Sequence, residues 1–328
     1  VRIFSGIQPT GRKHLGNYIG AVRGYLEGQE RGDPAIFCIV NLHATTVSYE
    51  PKELRSYVYD TLAMLLAAGL DPKRSILFRQ GDVREHTELC WLLSSVTAYG
   101  DLQRMHQFKD KSVRQRELVS AGLFLYPVLQ AADVLAYRAA EVPVGDDQRQ
   151  HIELMRDIAT RFNATYGKVL KVPEHRIPSV GARIMDLQDP TSKMSTTSSE
   201  ERGRIYIDDE EQTIIKKVKS AVTDSGSEVR RGPGKEGISN LIDIYAVVRD
   251  TTPEAVEKEF EGQQYGAFKG AVADAVAEYL RPVREGYAEL RSDEAALEAT
   301  LAEGAERASA IAGETLVDVR RAMGVGPP

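Results

Sequence analysis

The sequence of 328 residues predicts a doubly wound parallel α/β domain followed by an all-helical C-terminal part. Three observations carry this. Short runs of strand formers alternate with longer stretches of helical spacing up to about residue 150. Such alternation points to parallel strands, which need a crossover segment to join them. Beyond "RIYI" (204–207) the pattern is almost wholly helical and no tandem repeat appears.

The elements follow in order. "VRIFSGI" (1–7) reads as a buried strand closed by Gly6, and "LGNYIGAVRGYLEGQERG" has helical spacing at Leu15, Ile19, Val22 and Leu26. "AIFCIVN" (35–41) is a second strand. "PKELRSYVYDTLAMLLAAGL" is a helix that starts at Pro51 and ends near Gly69. "SILFRQ" (75–80) is a third strand, followed by a helix from about Glu85 and a helical insertion around 101–138. "AEVPVGDD" (140–147) reads as a short strand feeding the helix "QRQHIELMRDIATRF". "GARIMDLQDPTSKMSTTSSEERGR" (181–204), rich in Ser, Thr and Gly, reads as a mobile loop. The last stretch, from Asp293, is a long Ala-rich helix whose apolar stripe is expected to pack back on the body. Two domains result, 1–190 and 191–328.

Composition sets the class. With 42% hydrophobic and 27% charged residues the chain reads as an ordinary globular protein. No apolar run approaches the roughly 20 residues of a membrane span, and no basic-then-apolar leader opens the sequence. Cys38 and Cys90 sit in apolar stretches, which predicts free thiols, no metal framework and a cytoplasmic location. The net charge of −6 is uneven: from Leu241 to Pro328 there are 17 Asp/Glu against 9 Lys/Arg, a net of −8, which leaves +2 elsewhere. The basic clusters "KDKSVRQR" (109–116), "KKVK" (216–219) and "RRGPGK" (230–235) lie in that remainder, so only a local patch is available to an anionic polymer.

Two stretches carry chemistry. In "PTGRKHLGNYIG" (9–20) a strand, a glycine-containing turn and a helix start are combined, a geometry that aims free backbone N–H groups at an anion. His14 and Asn17 add side-chain donors beside Gly16, although a polar residue at this place also serves simply as a cap. Walker A spacing is absent. Far downstream, Lys193-Met194-Ser195 offers a cation and hydroxyls suited to the β- and γ-phosphates of ATP.

Together these stretches resemble the two signatures of class I aminoacyl-tRNA synthetases, His-Ile-Gly-His and Lys-Met-Ser-Lys-Ser. The blocks "FSGIQPTG", "GNYIGA", "MHQFKDKS", "YPVLQAADVL", "VPVGDDQRQHIEL", "VGARIMDL" and "VKSAVTDSG" are similar to those of the bacterial tryptophanyl-tRNA synthetase family, from Arg2 to about Met323. The resemblance implies a Rossmann-like catalytic domain, a helical domain that contacts the tRNA anticodon, and a homodimer. It implies activation of L-tryptophan by ATP with Mg²⁺, then transfer to tryptophan tRNA, with no membrane and no protein nucleophile. The expected nucleotide site comprises Gln8, Pro9, Thr10, Gly16, Asn17, Gly145, Asp146, Asp147, Ile184, Lys193, Met194, Ser195, Thr196 and Thr197. His14, Asn17, Lys111, Lys193 and Ser195 are the expected catalytic groups.

The expected tryptophan pocket has Phe4, Val142 and Val144 as apolar walls and Gln130 against the indole. His43, Tyr126 and Gln148 match residues near the amino and carboxylate groups. Indole has a single polar atom, an N–H that only donates, and burying it without an acceptor costs about 1–3 kcal/mol. Asp133, in the apolar "LQAADVLAY", matches the family's indole-reading aspartate, while a lone Asp in such a helix can also be ion-paired in the core. Three positions depart from the family: Asn17 replaces the final histidine of the first signature, Gln130 a methionine, and Thr196 the second lysine of the late loop. The last two keep open an alternative, an auxiliary paralogue that binds tryptophan or a partner protein in a regulatory role with weak aminoacylation.

Overall fold

The structure, a computed structural model, describes residues 1–105, 120–143, 148–176, 183–195 and 200–326. Its centre is a five-stranded parallel sheet with strand order β3-β2-β1-β4-β5. The strands are β1 (Ile3–Ile7), β2 (Ala35–Ile39), β3 (Ser75–Arg79), β4 (Glu141–Pro143) and β5 (Glu174–Arg176). β1 pairs with β2 from Ile3 opposite Ala35 to Ile7 opposite Ile39, and β2 continues in register to β3. The order reverses at β1, which has β2 on one side and β4 on the other. A doubly wound sheet opens a crevice at such a point, beyond the carboxyl ends of the strands.

Helices cover both faces. A helical rod follows β1 as α1 (Leu15–Asn17), a π-helical turn (Tyr18–Val22) and α2 (Arg23–Arg31). After β2 come α3 (Asn41–Ala44) and α4 (Pro51–Ala67). After β3 come α5 (Glu85–Ser94), α6 (Tyr99–Gln103) and α7 (Ala121–Leu135). The helix α8 (Arg149–Tyr166) joins β4 to β5. The rest is helical: α9 (Glu211–Lys219), α10 (Glu236–Val248), α11 (Pro253–Glu259), α12 (Tyr265–Arg291) and α13 (Glu294–Met323). Among the described residues no helix is long and apolar enough to cross a membrane.

Strand alternation builds two cores. Phe37 and Ile39 face one core with Leu15, Leu62, Val272 and Leu280. Ile36 and Cys38 face the other with Leu89, Val128, Ile152 and Leu316. Each core draws side chains from both sides of residue 190. α13 serves both, with Leu297 and Leu301 in the first and Ala308 and Leu316 in the second. It crosses the β3 edge at Gly304, where a Cβ would lie 1.7 Å from the Leu77 carbonyl oxygen, so only glycine admits the approach. Arg307 donates to the Ser75 carbonyl at 3.0 Å, and the edge strand is thereby covered.

Candidate active site

The crevice at β1 and β4 holds a cavity of about 250 Å³. β1 and the residue after it supply Phe4, Gly6 and Gln8, β4 supplies Val142, and Val40 follows β2. Tyr126, Gln130 and Asp133 enter from one face of α7, at i, i+4 and i+7. His43 and Thr46 close one side and Gln148 another. Seven of the eight residues expected to hold tryptophan thus line one cavity. The eighth, Val144, lies outside the described residues.

Asp133 is buried, and three donors hold its carboxylate. His43 Nε2 lies 2.7 Å from Oδ2, His86 Nδ1 lies 2.6 Å from Oδ1, and Gln80 Nε2 donates to Oδ1 at 2.7 Å. Burial by itself raises the carboxyl's pKa, but His43 and His86 outweigh it and hold Asp133 below its ordinary value. The aspartate is therefore an ionised, hydrogen-bonded core group and a cavity wall at once, so the two readings of this residue coexist. Tyr126 Oη lies 2.9 Å from His151 Nε2, and burial pushes its phenol up to about 12, which keeps it protonated. Gln130 Nε2 reaches Gln148 Oε1 at 3.4 Å.

His14 lies at the start of the rod as an N-cap. Its Nδ1 accepts from the Asn17 N–H at 3.2 Å, and Asn17 Oδ1 accepts from the His14 N–H at 3.3 Å, a reciprocal capping box. Burial, reinforced by Lys13, Lys193 and Arg204, lowers its pKa to about 4. The ring is neutral at pH 7, and since Nδ1 accepts, the proton sits on Nε2 as a donor. The cap and the donor are the same residue.

The late stretch comes back to this turn. Leu15 N–H donates to Ile205 O at 2.7 Å and Ile207 N–H to Lys13 O at 3.0 Å. A Cβ on Gly16 would sit 3.5 Å from the Met194 Cβ and 3.1 Å from the His14 ring, so the glycine lets the two segments close up. The 181–204 stretch, read above as mobile, is tied down where it is described. Met194 N–H bonds Ile184 O at 3.0 Å and Asp186 N–H bonds Ser192 O at 2.9 Å. Asp189 accepts from the Thr191 and Ser192 hydroxyls, each at 2.6 Å. Thr191 and Ser192 serve this turn, with Ile184 and Met194 buried and Lys193 exposed.

Gln8, Pro9 and Thr10 line a second cavity of about 270 Å³, which shares Gln8, His43 and Thr46 with the first and extends to Tyr49 and Tyr57. Lys13 Nζ donates to the carbonyls of Gln8 and Thr10, each at 2.9 Å. Lys111, Gly145, Asp146, Asp147, Thr196 and Thr197 lie outside the described residues. The "KKVK" cluster is not one surface patch. Lys217 is buried, with Nζ 2.7 Å from Asp209 Oδ2 and over the Tyr206 ring, and only its neighbours in the cluster remain for an anionic partner.

The family described as tRNA synthetases class I (W and Y) matches residues 1–281. The chain belongs to this family. It is 48% identical to the tryptophan–tRNA ligase of Wolinella succinogenes, over 99% of this chain and 98% of that protein. The tryptophanyl-tRNA synthetase of Mycoplasma pneumoniae superimposes with a TM-score of 0.87 at 34% identity, covering 99% of this chain and 98% of that one. That of Campylobacter jejuni, complexed with ADP and tryptophan, gives 0.85 at 34% identity, covering 99% and 100%. Sequence reasoning misses three residues behind the cavity's aspartate: Gln80, His86 and Tyr137. A buried carboxylate requires donors, but nothing in the sequence says which residues supply them.

Proposed function

We propose that this chain is a tryptophan–tRNA ligase, which converts L-tryptophan and ATP to tryptophanyl-adenylate and pyrophosphate and then charges tryptophan tRNA. One observation carries the reading. Among the described lining residues the first cavity has a single carboxylate, Asp133, set among Phe4, Val40, Val134 and Val142. A purely accepting group in an apolar wall matches a side chain whose only polar atom donates. The name of the Wolinella succinogenes relative and the ADP and tryptophan bound by the Campylobacter jejuni protein support it.

In the first step a tryptophan carboxylate oxygen attacks the α-phosphorus and the bond to pyrophosphate breaks. Charge grows on phosphate oxygens, so fixed donors do most of the work. His14 Nε2–H, Lys193, Ser195 and, by family resemblance, Lys111 are assigned to it, with Gln8, Pro9, Thr10, Gly16, Asn17, Ile184 and Met194 around the nucleotide. In the second step a terminal ribose hydroxyl of the tRNA attacks the acyl carbon and AMP leaves. By family resemblance Mg²⁺ would accompany ATP and would supply positive charge where phosphate charge builds up.

Residues 1–190 and the late signature loop that opens 191–328 carry the chemistry in this reading, and the helices beyond that loop contact the anticodon. Trp91, Tyr99 and Leu125 are exposed on α5, α6 and α7, and these exposed apolar side chains, with the family resemblance, support a homodimer. The cytoplasm, where tRNA is charged, is the proposed location. The test is charging of a tryptophan tRNA transcript with radiolabelled tryptophan and ATP. Acid-precipitable label on that transcript and none on tyrosine tRNA is expected, and no charging at enzyme excess would contradict the proposal.

A further inference from the structure

A carboxylate that reads one N–H must present one lone pair in a fixed direction, and a carboxylate left to itself turns about its own bond. Oδ1 of Asp133 is occupied by two donors, His86 and Gln80, whereas Oδ2 accepts one bond among the described residues, from His43. Of the three donors His43 is a cavity wall, whereas His86 and Gln80 are fully buried and line none of it. The second nitrogen of His86, Nε2, lies 2.6 Å from the hydroxyl of Tyr137, four residues after Asp133. A carboxylate only accepts, so the His86 proton is on Nδ1 and Tyr137 donates to Nε2. His86, on the neighbouring α5, thus joins Asp133 near the end of α7 to Tyr137 in the turn that follows it. Its ring is held edge-on by Phe78 at 5.7 Å and by Tyr137 at 5.4 Å, and Tyr137 stacks on the cavity wall Phe4 at 5.5 Å.

We propose that His86 is a positioning residue for amino-acid selection: by tying Asp133 Oδ1 to Tyr137, it turns the open lone pair of Oδ2 into the cavity, where it reads the indole N–H. This rests on the tryptophan reading above. His86 touches no substrate and acts only through Asp133.

The experiment compares pyrophosphate exchange by the full chain with tryptophan and with β-(3-benzothienyl)alanine, which has sulfur in place of the N–H. The ratio of the two kcat/KM values measures N–H reading alone. The double variant His86→Phe, Tyr137→Phe removes both polar partners in similar shapes, which is the least costly way to break a buried pair. Its ratio is expected to fall about tenfold, through the KM for tryptophan, with the KM for ATP within about twofold of the parent. His86→Asn keeps a donor for Oδ1 and is expected to hold the ratio within about threefold of the parent. Equal losses on both amino acids in the double variant, or a fall with His86→Asn as large as with the phenylalanines, would overturn the proposal. A parent that exchanges with neither amino acid would instead overturn the tryptophan reading itself.

Discussion

Acidification strikes the helix start first. His14 is buried, its Nδ1 accepts from Asn17, and its pKa falls from the ordinary 6.5 to about 4. The unfolded chain therefore binds a proton between those values that the folded chain refuses. His14 contributes stability that is full above pH 6.5 and is lost as the pH falls towards 4. At 1.36 kcal/mol per pKa unit the whole contribution is about 3 kcal/mol. The His14→Asn variant keeps a side-chain acceptor for the cap but no titrating group. Urea unfolding of both proteins at stepped pH, taken as the difference between them, cancels the other five histidines of the six in the chain. The wild type is expected to lose about 3 kcal/mol more stability than the variant between pH 7 and 4. A constant offset reports only lost ring packing against Gly16. Parallel curves over that range would refute the reasoning, because a neutral capping histidine cannot be pH-silent there.

Other perturbations separate chemistry from scaffold. Asp133→Asn keeps the size of the side chain but removes its charge. Tryptophan kcat/KM in pyrophosphate exchange is expected to fall by about 1.5–3 kcal/mol of transition-state stabilisation, with the KM for ATP little changed. Stability should also drop, because His43, His86 and Gln80 share two charged oxygens and an amide leaves them a single neutral acceptor. The parent's stabilisation from Asp133, complete above the ordinary carboxyl value of 3.8, should be lost only as the pH falls below it. Lys217→Met breaks a buried pair with Asp209 and is expected to cost about 3–5 kcal/mol in urea unfolding. Lys216→Glu, at an exposed position, should leave stability within about 0.5 kcal/mol and weaken tRNA binding with a shallower salt slope in filter binding. Thr196→Lys restores the cation of the late signature and is expected to raise the single-turnover rate of adenylate formation about tenfold or more, since a charge-assisted contact is worth about 1.5–3 kcal/mol.

The sheet was legible because its signals are local. "IFSGI", "AIFCI" and "SILFR" are dense in strand formers, and the glycines and Pro51 mark where helices begin and end. β5 escaped because "EHR" has no apolar run, and it pairs only at the sheet edge with β4. The π-turn at Tyr18–Val22 has no sequence signature at all. In the site, Tyr126, Gln130 and Asp133 were expected from the family resemblance, and they share one face of a single helix. Two donors to Asp133 were not legible, because Gln80 and His86 stand 53 and 47 residues away in sequence and meet it only through the fold. The late stretch is a related case: Ser and Thr report turn chemistry, and the sequence does not say that Met194 packs beside Gly16, far away in the chain.

The central claim is that the cavity at the β1–β4 crevice selects tryptophan for reaction with ATP. ATP–pyrophosphate exchange driven by tryptophan, with tyrosine in parallel, tests it directly. Tryptophan is expected to drive exchange, and tyrosine to be worse by about a hundredfold or more, because its hydroxyl needs an acceptor and a donor where the cavity is built around one accepting carboxylate. Exchange with tyrosine as fast as with tryptophan, or none with either, would contradict the account.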